Sequence, residues 1–117
     1  MTHTVLVVED DEALRDTMRD VLELNGYPVV VAVDGQQALD RLAAIEDLGL
    51  ILLDLLMPNM NGWDFLRALR GRPALAGVPV VVHSSWPTDV PPGVARVLRK
   101  PASLSRLLSV VAEFCAA

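Results

Sequence analysis

The chain contains a single cysteine, Cys115, and only two histidines. A lone thiol cannot form an internal disulfide, which is typical of proteins from a reducing compartment. One thiol and two imidazoles are also too few for the common zinc sites. Basic residues are in the minority, with ten lysines and arginines against fifteen acidic residues and a net charge of −5. This balance argues against a domain that binds DNA or an anionic membrane by itself.

Long apolar runs are absent as well. A membrane-spanning helix needs about 20 consecutive apolar residues, and the longest run here is interrupted by Asp54. The first residues lack the basic and apolar regions of a signal peptide, so we expect a cytoplasmic protein. The length of 117 residues predicts one domain, residues 1–117. Hydrophobic residues make up 52% of the chain, far more than a disordered chain carries.

Apolar segments of strand length alternate with segments of helical periodicity. The predicted strands are residues 5–8, 28–33, 50–54, 78–84 and 95–99. Strands that are apolar at nearly every position are covered on both faces, as in a parallel sheet. Right-handed crossovers then place helices on both sides. The sequence therefore predicts an α/β fold with a doubly wound, five-stranded parallel sheet.

The alternation fails between the fourth and fifth strands. Residues 85–93 include Pro87, Pro91, Pro92 and Gly93. A proline inside a helix costs about 3 kcal/mol. We therefore predict an irregular loop, or at most a single turn, where a fourth helix would otherwise lie.

Polar residues follow four of the predicted strands. Glu9 and Asp10 follow the first strand, Asp54 ends the third, Ser84 ends the fourth and Lys100 follows the fifth. The carboxyl ends of parallel strands line the ligand crevice of an open α/β sheet. These side chains are therefore predicted to converge on one site.

Clustered carboxylates raise one another's pKa unless a cation compensates. Mg²⁺ suits such a site, because it binds one or two carboxylates together with phosphate oxygens. Asp54 could also act as a nucleophile toward a phosphoryl group, with Lys100 and Ser84 contacting its oxygens. Taken singly, each residue has an ordinary structural explanation: Asp54 could be a turn former, and Asp11 could cap a helix. Their joint placement favours a Mg²⁺-dependent phosphoryl site.

Four segments together resemble the receiver domain of bacterial two-component response regulators, in the CheY-like superfamily. They are residues 5–11, with the acidic cluster, 53–62 around Asp54, 79–84 ending at Ser84, and 98–101 with Lys100-Pro101. The resemblance covers essentially the whole chain. It implies a flavodoxin-like sheet of strand order 2-1-3-4-5.

The same resemblance implies residue roles. Asp54 would accept phosphate, with Ser84 as the switch hydroxyl and Lys100 as the site lysine. Mg²⁺ would be bound at Asp10, Asp54 and Glu9, with Asp10 as the expected direct ligand and the backbone carbonyl of Leu56 completing the protein ligands. The Lys100-Pro101 peptide bond would be cis, which costs little before proline.

A receiver takes phosphate from a sensor histidine kinase or a phosphotransfer protein and changes its contacts with a downstream protein. The resemblance thus implies a signalling domain that catalyses only its own phosphorylation and dephosphorylation, with no direct contact to nucleic acid or membrane. Two departures weaken the usual relay of the signal. The fourth helix is reduced, and Val97 stands where many receivers carry a switching aromatic residue.

Three other functions are compatible with a strand-end aspartate. A phosphatase of the haloacid dehalogenase type would need a second aspartate two residues after Asp54, where this chain has Leu56. A nucleotide or flavin site would need a Gly/Ser/Thr-rich loop after the first strand, but residues 9–12 are all acidic. A degenerate receiver that serves only for docking is favoured by the altered segment 85–93 and opposed by the complete set of acids and lysine.

Overall fold

A computed structural model describes residues 3–115. Five parallel strands form one sheet in the order β2-β1-β3-β4-β5, which confirms the predicted fold class and strand order. The strands are β1 (Thr4–Val8), β2 (Val29–Ala32), β3 (Leu48–Leu53), β4 (Val80–Ser84) and β5 (Arg96–Arg99). The helices are α1 (Glu12–Leu24), α2 (Gly35–Leu42), α3 (Gly62–Arg70) and α4 (Leu104–Cys115), with a 3-10 turn at Pro73–Leu75.

The apolar strands bury both faces of the sheet, and side chains alternate between two cores. On β1, Leu6 and Val8 face the core that α2 and α3 cover. Val5 and Val7 face the opposite core, which α1 and α4 cover. Because successive side chains of a strand point to opposite faces, each strand serves both cores, and the polar residues that follow the strands are held at one edge.

Side-chain caps fix where the helices begin. Asp11 accepts a hydrogen bond from the Leu14 N–H at 2.9 Å, and Asp34 accepts one from Gln37 at 2.8 Å. Ser103 accepts one from Arg106 at 3.1 Å. Of these three caps, the one at Asp11 was considered in the sequence analysis. A fourth, Asn61, accepts a hydrogen bond from the Asp64 N–H at 2.9 Å and was not predicted.

Between β4 and β5 the described chain contains no helix, which confirms the prediction drawn from the prolines. The predicted strand bounds were less accurate. β3 begins at Leu48 rather than residue 50, and it ends at Leu53, before Asp54. β4 begins at Val80 rather than residue 78. Apolar residues beside a strand look like strand residues in the sequence, but only backbone pairing decides whether they belong to it.

The only cysteine of the sequence, Cys115, is the last residue of α4. The thiol of Cys115 is buried and donates to the carbonyl oxygen of His3 at 3.5 Å. Burial is the main reason that the pKa of this thiol is raised.

Within residues 3–115, no helix has the length and apolar character needed to cross a membrane.

Candidate functional site

The ends of β1, β3 and β5 bring three charged side chains together. The Lys100 ammonium donates to Glu9 Oε1 at 2.6 Å and to Asp54 Oδ2 at 2.9 Å. β1 and β3 are direct neighbours in the sheet, with Val8 paired to Leu53. Glu9 and Asp54 therefore sit side by side because each directly follows one of these paired residues.

This cluster lies largely out of solvent. Glu9 is 2% exposed and Asp54 is 5% exposed. Burial raises the pKa of Glu9 to about 7, although its hydrogen bonds to Lys100 and to the Asp11 N–H act in the opposite direction. Burial alone would lower the pKa of Lys100, but its hydrogen bonds to the two carboxylates outweigh burial and raise it. The site therefore places one positively charged lysine between two acidic side chains, so it has fewer positive charges than acidic groups.

A third carboxylate adjoins these two. Carboxylate oxygens of Glu9, Asp10 and Asp54 all lie within 4.8 Å of one another, with Asp10 exposed and the other two buried. The guanidinium of Arg15 donates to the backbone carbonyls of Glu9 at 3.1 Å and Asp10 at 3.5 Å, which anchors this turn. Three carboxylate oxygens this close together match the hard oxygen ligands that Mg²⁺ prefers. The residues thus fit a magnesium ion.

The loop after β3 is built around Asp54. Its Oδ1 atom accepts the Leu56 N–H at 3.2 Å, so each carboxylate oxygen has a partner. Gly62, at the start of α3, packs directly on this loop, since a Cβ atom there would lie 2.6 Å from the Asp54 carbonyl oxygen. Asn59 has a left-handed φ of 64° and donates to Asp34 Oδ2 at 2.9 Å. The loop is therefore tied both to α3 and to the cap of α2.

Ser84 ends β4 and is completely buried. Its hydroxyl accepts the Trp86 N–H at 3.3 Å and donates to no acceptor in residues 3–115. The Lys100 N–H donates to the Ser84 carbonyl at 2.9 Å, so the two predicted site residues are linked through the backbone. Ser84 thus lies at the edge of the sheet that carries the site, without a direct hydrogen bond to Asp54.

The structure therefore brings together four of the predicted residues: Glu9, Asp10, Asp54 and Lys100. The Lys100-Pro101 peptide bond is cis, as the resemblance implied. The individual roles of these residues, and the part of the Leu56 carbonyl in metal binding, stay predictions.

Sequence reasoning missed one supporting contact. The Asn59–Asp34 hydrogen bond joins residues 25 positions apart, and no local pattern indicates it. His83 is buried on β4 at 3% exposure. Within residues 3–115, neither of its ring nitrogens has a hydrogen-bond partner. Burial lowers the pKa of His83 to about 4, with a smaller contribution from the charge of Lys100.

Comparison with known proteins agrees with this geometry. Residues 5–112 match the family model described as response regulator receiver domain. The transcriptional regulatory protein CpxR of Escherichia coli (strain K12) is 47% identical over 66 residues, which cover 56% of this chain and 28% of that protein. The DNA-binding response regulator MtrA of Mycolicibacterium smegmatis is 42% identical over 82 residues, covering 70% of this chain and 34% of that protein. The matched region thus spans about a third or less of these curated relatives.

Solved structures show the same architecture over nearly the whole chain. The chemotaxis response regulator CheY4 of Vibrio cholerae superposes with a TM-score of 0.85 at 26% identity, covering 97% of this chain and 98% of that chain. The receiver domain of a signal transduction histidine kinase from Syntrophus aciditrophicus gives a TM-score of 0.82 at 28% identity, with coverages of 95% and 88%.

Proposed function

This chain belongs to the response regulator receiver domains, and we propose that it accepts a phosphoryl group on Asp54 from the phosphohistidine of a sensor histidine kinase or phosphotransfer protein. In that transfer the bond between phosphorus and the imidazole nitrogen breaks, and a bond forms between phosphorus and a carboxylate oxygen of Asp54. The observation that carries the proposal is the contact of one ammonium, Lys100, with both Asp54 and Glu9.

The arrangement suits phosphoryl transfer because such transfer depends mainly on positioning and on neutralising charge. Lys100 already lies against the nucleophile and can follow a phosphoryl oxygen as a mobile point charge. Glu9, Asp10 and Asp54 would hold Mg²⁺, with the Leu56 carbonyl as a further ligand, and a bound Mg²⁺ supplies positive charge to the phosphoryl oxygens. Ser84 can donate its hydroxyl hydrogen, which no acceptor in the described chain takes up, to another of these oxygens.

A protein phosphodonor is favoured by the surface around the site. Four of the six exposed large apolar residues in the described chain lie at this edge of the sheet. They are Val33, Leu56, Trp86 and Leu104. Several exposed apolar side chains at the same edge as a charged centre are compatible with a protein–protein contact. We therefore place donor docking on this edge.

A receiver that serves only for docking remains the alternative. The missing helix between β4 and β5 favours it, because that segment differs from the family's usual output surface. The intact contact between Lys100 and Asp54 favours the phosphoacceptor instead, since docking alone gives no reason to bury two carboxylates around one lysine.

Labelling of the whole chain with acetyl phosphate, followed by intact-mass measurement, tests the proposal. We expect the mass of one phosphoryl group to be added when Mg²⁺ is present and not after chelation. Asp54→Asn should abolish the addition, whereas Asp64→Asn, the same change on a half-buried residue of α3 outside the carboxylate cluster, should leave it unchanged. Labelling that persists in Asp54→Asn, or no labelling of the wild type, would count against the phosphoacceptor function.

A further inference from the structure

A buried histidine lies beside the carboxylates and the lysine of the site, and the proposed transfer does not use it. His83 is 3% exposed on β4, and in the described part of the chain neither of its ring nitrogens has a hydrogen-bond partner. A buried polar atom without a partner lowers stability, and native proteins contain few such atoms. An apolar side chain at this position would avoid that cost. An imidazole here is therefore expected to have a role besides packing.

The sheet register places His83 next to Asp54. On β3 and β4, Leu52 pairs with Val81, and both belong to the core that α1 and α4 cover. Side chains two residues apart on a strand point to the same face, so Asp54 and His83 follow this pair on that face. The Asp54 N–H still donates to the Val8 carbonyl at 3.0 Å, so the strand geometry continues to Asp54. The two residues are therefore neighbours on one face of adjacent strands.

The Lys100 side chain crosses the end of β4 on the same face. Lys100 follows β5, where Leu98 pairs with His83 and belongs to the same core. Because β4 lies between β5 and β3, the ammonium reaches Asp54 across two strand spacings, about 10 Å in all. Burial is the main cause of the low pKa of His83, and the charges of Lys100 and Asp54 also act on it, in opposite directions. His83 therefore faces the contact between Lys100 and Asp54.

The imidazole of His83 has one hydrogen to donate. Its pKa is lowered to about 4, so the ring is uncharged near neutral pH. A neutral imidazole carries a hydrogen on one nitrogen and a lone pair on the other. Since residues 3–115 provide no acceptor for this N–H, it can donate to an acceptor that becomes available next to it.

Phosphorylation of Asp54 makes such an acceptor available. In the structure Asp54 Oδ1 accepts the Leu56 N–H, and Oδ2 accepts a hydrogen bond from Lys100. In the proposed transfer the ammonium follows the charge of the phosphoryl oxygens, so Oδ2 loses this donor. Asp54 is 5% exposed, which leaves Oδ2 dependent on donors from the protein. The N–H of His83, on the neighbouring strand, can take the place of the lysine.

We propose that His83 is a second hydrogen-bond donor to the phosphoacceptor: its ring N–H donates to Asp54 Oδ2 when Lys100 moves to a phosphoryl oxygen. This inference rests on the proposed function. When the phosphoryl group is lost to water, a water oxygen bonds to phosphorus and the bond between phosphorus and Asp54 breaks. The water gives one proton to the solvent, and His83 keeps its own proton throughout.

This hydrogen bond affects the rate of transfer in both directions. Negative charge develops on the Asp54 carboxylate as its bond to phosphorus breaks, and the same charge is still present as that bond begins to form. A hydrogen bond to a charged acceptor is about twice as strong as one to a neutral acceptor. His83 therefore lowers the barrier both to gain and to loss of the phosphoryl group.

Rates of phosphoryl gain and loss in the full chain test this role. Acetyl phosphate and Mg²⁺ label the chain, the reagent is then removed, and intact-mass measurement follows both steps near neutral pH. His83→Leu removes the donor and should slow both steps by roughly three- to tenfold. His83→Gln and His83→Asn each offer an amide N–H near the position of one ring nitrogen. We expect one of these two variants to restore both rates.

Leu98→Met is the matched control. Leu98 pairs with His83 and lies in the same core, so this change of similar volume alters the packing around the imidazole without removing the donor. It should leave both rates unchanged.

NMR of the imidazole in the wild type measures the hydrogen bond itself. Beryllofluoride with Mg²⁺ stands in for the attached phosphoryl group. On its addition, the N–H proton of the His83 ring should move downfield and should exchange with water more slowly, by roughly three- to tenfold. This measurement needs no variant and therefore does not depend on how well a variant folds.

Each contrary result has its own meaning. Unchanged rates in His83→Leu would overturn the inference and leave the proposed function standing. Equal slowing in the Leu, Gln and Asn variants of His83, or slowing of the same size in Leu98→Met, would also overturn it, because altered packing would then explain the effect. An imidazole N–H signal that does not respond to bound beryllofluoride would do the same. A wild type that takes up no phosphoryl group would overturn the proposed function and, with it, the role of His83.

Discussion

The Lys100 ammonium lies 2.6 Å from the carboxylate of Glu9, a residue 91 positions away in the sequence. The same ammonium contacts Asp54, so one side chain, 18% exposed, is the cationic partner of two buried carboxylates. Removing one member of a buried ion pair is costly because the remaining charge is left without a partner.

Lys100→Met is therefore expected to lower the free energy of unfolding by about 3 kcal/mol near neutral pH. Denaturant unfolding of the variant and the wild type measures this difference in the free energy of unfolding. Arg99→Met is the matched control, since Arg99 is the preceding residue and is exposed, and it should change stability by less than about 0.5 kcal/mol. Equal losses in the two variants would show that Lys100 does not stabilise the acids.

Magnesium should stabilise the folded chain through Asp10. A ligand that binds only the folded state at 100 times its Kd contributes about 2.7 kcal/mol. We expect Mg²⁺ to raise the Tm and chelation to reverse the rise. Asp10→Asn should remove most of the effect. Asp11→Asn should retain it, because Asn still caps α1 and Asp11 lies outside the carboxylate cluster. The same Mg²⁺ response in both variants would contradict this assignment.

His83 should make stability depend on pH. Burial lowers its pKa to about 4, whereas an unfolded histidine titrates near 6.5. As the pH falls below about 6.5, the unfolded chain takes up a proton that the folded chain does not. The contribution of the neutral imidazole is therefore fully present above about pH 6.5 and is lost toward pH 4, by up to about 1.4 kcal/mol per pH unit.

His83→Leu removes this titration together with two buried nitrogens that have no hydrogen-bond partner in residues 3–115. The variant should be more stable than the wild type by about 1–2 kcal/mol at pH 7, and its advantage should grow as the pH falls toward 4.5. Urea unfolding across this range measures the difference. His3→Gln, on an exposed imidazole, is the control. An advantage that stays constant with pH would show that His83 is accessible to protons in the folded state.

Gly62→Ala should be strongly destabilising. The added Cβ would lie 2.6 Å from the Asp54 carbonyl oxygen and 2.7 Å from Leu55 Cα. Both are backbone atoms that cannot move without shifting the loop that carries Asp54, so we expect the free energy of unfolding to fall by about 2–3 kcal/mol. Gly77→Ala is the matched control, because a Cβ there meets nothing within 4 Å. Thermal unfolding compares the two, and a similar small effect in both would contradict the tight contact.

Much of the site could be predicted because strand ends are marked in the sequence. Asp54 and Lys100 each follow an apolar segment, and parallel strands bring such positions to one edge. The prolines of residues 85–93 likewise predicted the missing helix, because proline acts locally. The burial of the acidic cluster was harder to predict, because the sequence does not show that Glu9 is buried and Asp10 is exposed.

Contacts between distant segments could not be predicted. In the sequence Trp63 is an ordinary helix residue, and only the folded structure shows that its indole N–H donates to the carbonyls of Thr88 and Asp89. The Asn61 cap is different, because an asparagine just before a helix is a local signal that could have been recognised. Long-range hydrogen bonds are set by tertiary geometry and leave no local pattern. Helix caps and helix breakers are set by neighbouring residues, so the sequence can predict them.

The buried thiol of Cys115 has a practical consequence. It is the chain's one cysteine, it is 1% exposed, and its pKa is raised, so it holds little of the thiolate that reacts with maleimides or iodoacetamide. A second cysteine introduced on the surface, for example at Ser105, could thus be modified selectively with a spin label or fluorophore while the native one stays in place. Distance measurements on this domain would then need no cysteine-free background.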